Sequence, residues 1–126
     1  MINPFFHDIA IKLVGLISNK AKLDEKEKDM TYRTAINRLY YSTFHNIVLY
    51  FRLQFTPSEE RAIHTAIQEK LIVQDHDAIA SILEEMRLLR VDADYRLAIP
   101  NTKTRFEKMM SCHDIIIELL ASNASG

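Results

Sequence analysis

Glycine and proline are scarce, two and three residues in a chain of 126, about a third of their usual combined share. An all-β protein needs a turn every few residues, and turns draw on those two residue types. The scarcity excludes the all-β classes, together with collagen-like, low-complexity and glycine-rich phosphate-loop proteins. The single cysteine, Cys112, makes no internal disulfide and no cysteine cluster for zinc. Neither sign of charge dominates: 16 Lys and Arg stand against 17 Asp and Glu, a net charge of −1. Nucleic acid or anionic lipid is therefore not attracted globally, and any phosphate binding has to be local. Apolar runs extend only a few residues, far below the ~20 needed to span a bilayer. Met1 leads into Ile2, Asn3 and Pro4 without the basic region and apolar segment of a secretory leader. The expectation is a cytoplasmic, all-α protein with no membrane association and one core.

What is present is helical periodicity. Asn3 and Pro4 offer an N-cap and a first-turn proline for a helix to about Ala21, with Phe5, Ile9, Leu13 and Leu16 along one side. The charged stretch from Lys22 to Asp29 is either a loop or the solvated first turns of the next helix. From about Thr31 to Gln54 some seven turns contain no glycine or proline. Ile36, Tyr40, Phe44, Ile47, Val48 and Phe51 share a broad face, and Leu39, Leu49, Tyr50 and Leu53 occupy much of the remainder. A helix apolar nearly all round lies in the middle of a bundle or in a subunit interface, and we expect a homodimer. Thr56, Pro57, Ser58 and Glu59 form a capping box for a third helix through about Leu71. Asp75 or Asp77 is suited to cap a fourth, to about Asp94, with Ile79, Ile82, Leu83, Met86, Leu89 and Ala93 as its stripe. A break at Pro100, Asn101 and Thr102 opens a fifth, carrying Phe106, Met109, Met110, His113 and Ile117. The pattern predicts an up-and-down bundle of four main helices plus one short one over residues 1–121, with a frayed polar tail over 122–126.

Functional candidates are the polar residues that break this pattern. Arg90 falls inside the apolar stripe of the fourth helix, where an unpaired guanidinium would cost several kcal/mol. Asp94 lies one turn on and Arg87 about one turn back. Either Arg90 and Asp94 form a structural pair closing the helix, or Arg90 belongs to an anion-binding cleft with Asp94 or Tyr95 orienting it. On the second helix Arg38, His45 and Arg52 recur every seven residues, on one side and about 10 Å apart in rise, with Ser42 near the line. Two cations flanking an imidazole suit a phosphodiester, the arginines holding oxygens while the histidine moves a proton. Asn37 needs partners if buried and reads as a bridge between helices. Tyr40 and Tyr41 read as core or interface aromatics. His64, among Glu60, Arg61 and Gln68, suggests a solvated face. His113 beside Cys112 is too sparse for zinc, and no metal site or cofactor is expected.

The stretch from Arg33 to His45, RTAINRLYYSTFH, resembles the R-x-A-x-x-R-x-Y-Y-x-x-F-H signature of small bacterial and archaeal HEPN (higher eukaryotes and prokaryotes nucleotide-binding) proteins. The stretch from Leu88 to Tyr95, LLRVDADY, is similar to the L-R-x-x-A-D-Y block of the same group, and His64 stands between the two. The resemblance covers about residues 25–121. It implies a dimeric bundle of four to five helices, often encoded beside a small nucleotidyltransferase in toxin–antitoxin or defence pairs. Catalytic members are metal-independent endoribonucleases with Arg, four to six residues, then His. Here Arg90 is followed by Asp94 and Tyr95 where that histidine would stand, whereas Arg38 and His45 meet the spacing on the second helix.

Two functions are carried forward. In the first, a dimeric ribonuclease uses Arg38 as phosphate clamp and His45 as general acid/base, with Arg87 and Arg90 as supporting cations. In the second, a non-catalytic module binds a nucleotide, RNA or a nucleotidyltransferase partner through one cleft that includes Arg52, Arg87, Arg90, Asp94 and Tyr95. A plain helical adaptor, its polar residues specifying the dimer, is the third and simplest reading.

Overall fold

The computed structural model describes residues 5–19, 24–96 and 98–125, with side chains described over 8–15, 24–96 and 98–123. It contains α1 (Phe5–Asn19), α2 (Glu25–Phe51), α3 (Pro57–Glu60), α4 (Ile63–Val73), α5 (Asp77–Tyr95) and α6 (Thr102–Ser125), with no strand among the described residues. The expected cap at Asn3 and Pro4 lies outside the described residues. No described helix is long and apolar enough to cross a membrane.

The charged stretch before Thr31 resolves into the first turns of α2. The Asp24 carboxylate accepts from the Glu27 amide at 2.7 Å, satisfying an orphan donor, and Glu25 and Glu27 complement the positive end of the helix. At its other end α2 stops at Phe51, short of the predicted Gln54. Arg52 turns left-handed (φ 53°), and the Leu53 amide reaches back to the Val48 carbonyl at 3.0 Å. This closes the helix in the manner that glycine usually serves.

The predicted third helix is two helices. Thr56 and Glu59 form the expected reciprocal capping box, but Ala62 leaves helical geometry (φ −130°, ψ 51°) and a new helix starts at Ile63. Lys70 pairs with Glu59 at 3.0 Å and holds α3 against α4. Among the described residues six helices therefore stand where five were expected. The start of α5 also differs from expectation. His76 holds the N-cap position without a side-chain bond, Asp77 is the first helical residue, and Asp75 (φ 62°) instead closes α4. The last helix opens after Asn101 (φ 56°) and continues through Ser125, into the polar tail.

α2 is the central element and packs against α1, α5 and α6, while α4 packs on α5. Three neighbours explain why its sequence is apolar nearly all round. Ala35, Ile36, Leu39, Tyr40, Phe44 and Ile47 of α2 join Ile67, Leu71, Leu83, Met86, Met109, Ile116 and Leu120 in one core. Burying a large aliphatic side chain of this kind is worth about 1.5–3 kcal/mol. The side of α2 that no neighbour covers bears His45, Leu49 and Arg52, all exposed.

Candidate functional site

The first half of α2 and the last turn of α5 run side by side and leave a groove of about 610 Å³ between them. Its lining includes Lys26, Arg33, Asn37, Arg38, Asp94 and Arg96. Positions 33 and 37 are one turn apart, so both side chains face α5. The Arg33 guanidinium donates to Asp29 at 2.7 Å and to the Ala93 carbonyl at 3.0 Å, and also reaches the carbonyl of Arg96. A cation on the exposed carbonyls of a helix C-terminus is favourable both as hydrogen bonding and against the helix dipole. Arg33 therefore closes α5 and ties it to α2.

One turn along, Asn37 Nδ2 donates to Asp94 Oδ2 at 3.0 Å, and Arg38 Nη1 donates to Asn37 Oδ1 at 3.1 Å. Asp94 Oδ2 also accepts from Arg90 Nη1 at 3.0 Å. Asn37 is thus the bridge between helices that its position suggested. Asp29 is matched by Arg33, and Asp94 by Arg90. Lys26, Arg38 and Arg96 then give the groove its cationic surplus, with Arg96 held only loosely, 3.8 Å from Asp92. Tyr95, 73% exposed, stands at the rim.

Arg90 itself is a buried residue, 7% exposed. Its guanidinium carbon lies 5.4 Å from the Tyr40 ring centre and 5.5 Å from that of Tyr41, a cation–π arrangement that partly replaces lost hydration. Arg90 pairs with Asp94, the contact that both readings of the two residues call for, while its Nε is buried and without a hydrogen-bond partner among the described residues. Arg87 grips Glu84 through Nε and Nη2 at 2.6–3.2 Å and is not part of the groove lining.

His64 departs from its predicted solvated face. Half-buried, it packs among the rings of Tyr40, Tyr41 and Phe44, and its Nδ1 lies 2.7 Å from the Tyr40 hydroxyl. Burial pushes the Tyr40 phenol far above its ordinary value of 10.0. Its hydroxyl therefore keeps its proton, and the His64 tautomer sets which of the two groups donates. Burial first, and then the charges of Arg90 and Arg87, hold His64 below its usual 6.5, against an opposing pull from Glu84.

His45 and Arg52 lie farther along α2, about 10 and 20 Å in rise from Arg38. His45 is exposed and touches the Phe44 ring edge-on at 5.7 Å. Ser42, near the same line in sequence, is buried. The structure thus brings Arg38, Asp94 and Tyr95 together and joins Arg90 to them through Asp94. It leaves His45, Arg52 and Arg87 outside the groove. No three His, Cys, Asp or Glu side chains among the described residues converge on a metal position.

Comparison of the chain with protein-family models, with curated proteins and with solved structures finds no match. The site is therefore read from its own residues. Sequence reasoning missed Lys26 and Arg96 as groove residues and His64 as a packed one. Only the four-residue spacing from Asp29 to Arg33 to Asn37 marked a polar seam within α2.

Proposed function

We propose that the protein is a HEPN-like, dimeric RNA- or nucleotide-binding protein of toxin–antitoxin or defence type, working beside a small nucleotidyltransferase, and that the α2–α5 groove receives phosphate. The observation that carries this reading is the groove itself. It has the volume of a small-molecule site, and exposed Lys26, Arg38 and Arg96 line it in a protein whose net charge is −1. Arginine suits phosphate because its planar fork offers paired donors. The resemblance of the segments that build the two walls, Arg33 to His45 and Leu88 to Tyr95, points to the same ligand class.

Ribonuclease activity is the second reading, favoured by Arg38 and His45 sharing one exposed side of α2. Two turns separate them, so an RNA strand rather than one phosphate engages both. In that chemistry a base removes the 2′-hydroxyl proton, the 2′-oxygen attacks phosphorus, and the departing 5′-oxygen is protonated. A cation balances the charge of the phosphorane. A non-catalytic adaptor for the nucleotidyltransferase is the alternative.

The test is binding and cleavage of single-stranded RNA and tRNA in EDTA, with wild type, Arg38→Ala and His45→Ala. Salt-dependent binding that Arg38→Ala weakens is the expected result. Cleavage lost in both variants makes the protein a nuclease, and binding without cleavage makes it a binding module. Absence of both, with capture of a nucleotidyltransferase, favours the adaptor. Light scattering at micromolar concentration is expected to give twice the 14.7 kDa chain mass.

A further inference from the structure

Resting on the phosphate reading of the groove, we infer that Asn37 and Asp94 are positioning residues: they do not touch the ligand but fix the Arg38 guanidinium in its binding orientation. A carboxylate has acceptors only, and Asp94 Oδ2 already takes a hydrogen bond from buried Arg90 at 3.0 Å, which holds it in place. Asn37 can meet such an oxygen only with its NH2 end, and it does so at 3.0 Å. That choice leaves the amide carbonyl aimed the other way, where it accepts from Arg38 Nη1 at 3.1 Å. The order Arg90, Asp94, Asn37, Arg38 therefore has one consistent direction of donation, and the orientation of the Asn37 amide follows from the acid beside it.

Arg38 gains a defined position from this. An exposed arginine has many rotamers, and ordering them on binding opposes affinity. Holding one nitrogen beforehand removes part of that cost and leaves the other donors of the fork for the ligand. Asp94 would otherwise be an odd residue for the lining of a phosphate groove, since its charge repels the ligand. Its negative charge is matched by Arg90, and its effect reaches the groove through Asn37.

The test variant is Asn37→Leu, an apolar near-isostere that leaves the Arg90–Asp94 pair intact. Asp94→Ala would instead strip a buried arginine of its partner and confound folding with positioning. The probe is a fluorescein-labelled single-stranded oligoribonucleotide titrated by anisotropy over a range of salt, with side-chain 15Nε relaxation of Arg38 measured in the free protein. Asn37→Leu is expected to weaken binding about fivefold with an unchanged slope of log K against log salt, because no phosphate contact is removed. Arg38→Ala is expected to flatten that slope by about 0.7. The Arg38 Nε signal is expected to be ordered in the wild type and mobile in Asn37→Leu. A mobile Arg38 in the wild type overturns the inference, as does wild-type affinity in Asn37→Leu. Absence of salt-dependent binding by the wild type, with Arg38 ordered, overturns the phosphate reading of the groove and the inference with it.

Discussion

Arg38 and His45 stand on the same side of α2, two turns apart, in different surroundings. Arg38 lies where the end of α5 runs alongside, so it lines a groove and is held by Asn37, itself held by Asp94. His45 lies exposed beyond that groove's lining and touches the ring of its neighbour Phe44. Arg52, two turns further, has become the left-handed cap of the helix. Equal spacing in sequence placed the three on one line, but a site needs a second wall. α5 runs on beside α2 past Arg38, its Arg90 lying over Tyr40 and Tyr41, but the groove between the two helices is lined on α2 only as far as Arg38.

The largest effect that separates the two regions is expected at the buried end of the walled one. Arg90→Ala removes a guanidinium packed over two tyrosines and leaves Asp94, whose side chain is 23% exposed, with Asn37 alone. A loss of ~2–4 kcal/mol in chemical denaturation is expected. An unchanged midpoint would mean that the seam contributes nothing to stability, and the contrast with the open face would fail.

Next comes the pH dependence of that same seam. His64 is hydrogen-bonded to Tyr40 and is held below its usual 6.5 when folded, so the unfolded chain binds its proton more readily. The stability that neutral His64 contributes is therefore fully present above about pH 6.5 and lost as pH falls below it toward the folded value. His64→Gln, which cannot charge, is expected to remove this part of the acid limb in denaturation curves measured between neutral and mildly acidic pH. Tyr40→Phe leaves the imidazole nitrogen without its hydrogen-bond partner and is expected to cost about 1–2 kcal/mol at neutral pH. A variant that keeps the wild-type acid limb would show that another group controls it.

The smallest effects belong to the open face. His45→Ala is expected to change stability by less than ~0.5 kcal/mol, as is usual for an exposed side chain. Arg52→Gly is expected to raise stability slightly, by about 0.5 kcal/mol, because glycine tolerates the positive φ at that cap. A large loss in either would show that the open face carries structural contacts of its own, and the contrast with the walled region would fail.

Much of the fold was legible because it rests on local physics. The capping box at Thr56 and Glu59, the break at Asn101 and the apolar stripes of α2 and α5 depend on residues within one or two turns of each other. Their hydrogen bonding and periodicity leave few alternatives. The legible part of the site was of the same kind: Asp94 is four residues beyond Arg90, so the pair closes within one helix. His64 was misread for the converse reason. Its sequence neighbours are polar, and only the departure of Ala62 from helical geometry and the packing of α4 on α5 bring it to Tyr40, 24 residues away. Lys26 and Arg96 were missed because neither belongs to a pattern; they meet where two helices happen to run together.

The sequence by itself determined an all-helical chain, most of the core residues, and the polar residues that break each helical stripe. Composition and 3.6-residue periodicity act within a helix and need no partner. Which of those polar residues share a site was decided by the tertiary structure. A groove needs two surfaces, and only the register of α5 against α2 selects Arg38 and Asp94 for it while leaving His45 and Arg52 on the open face.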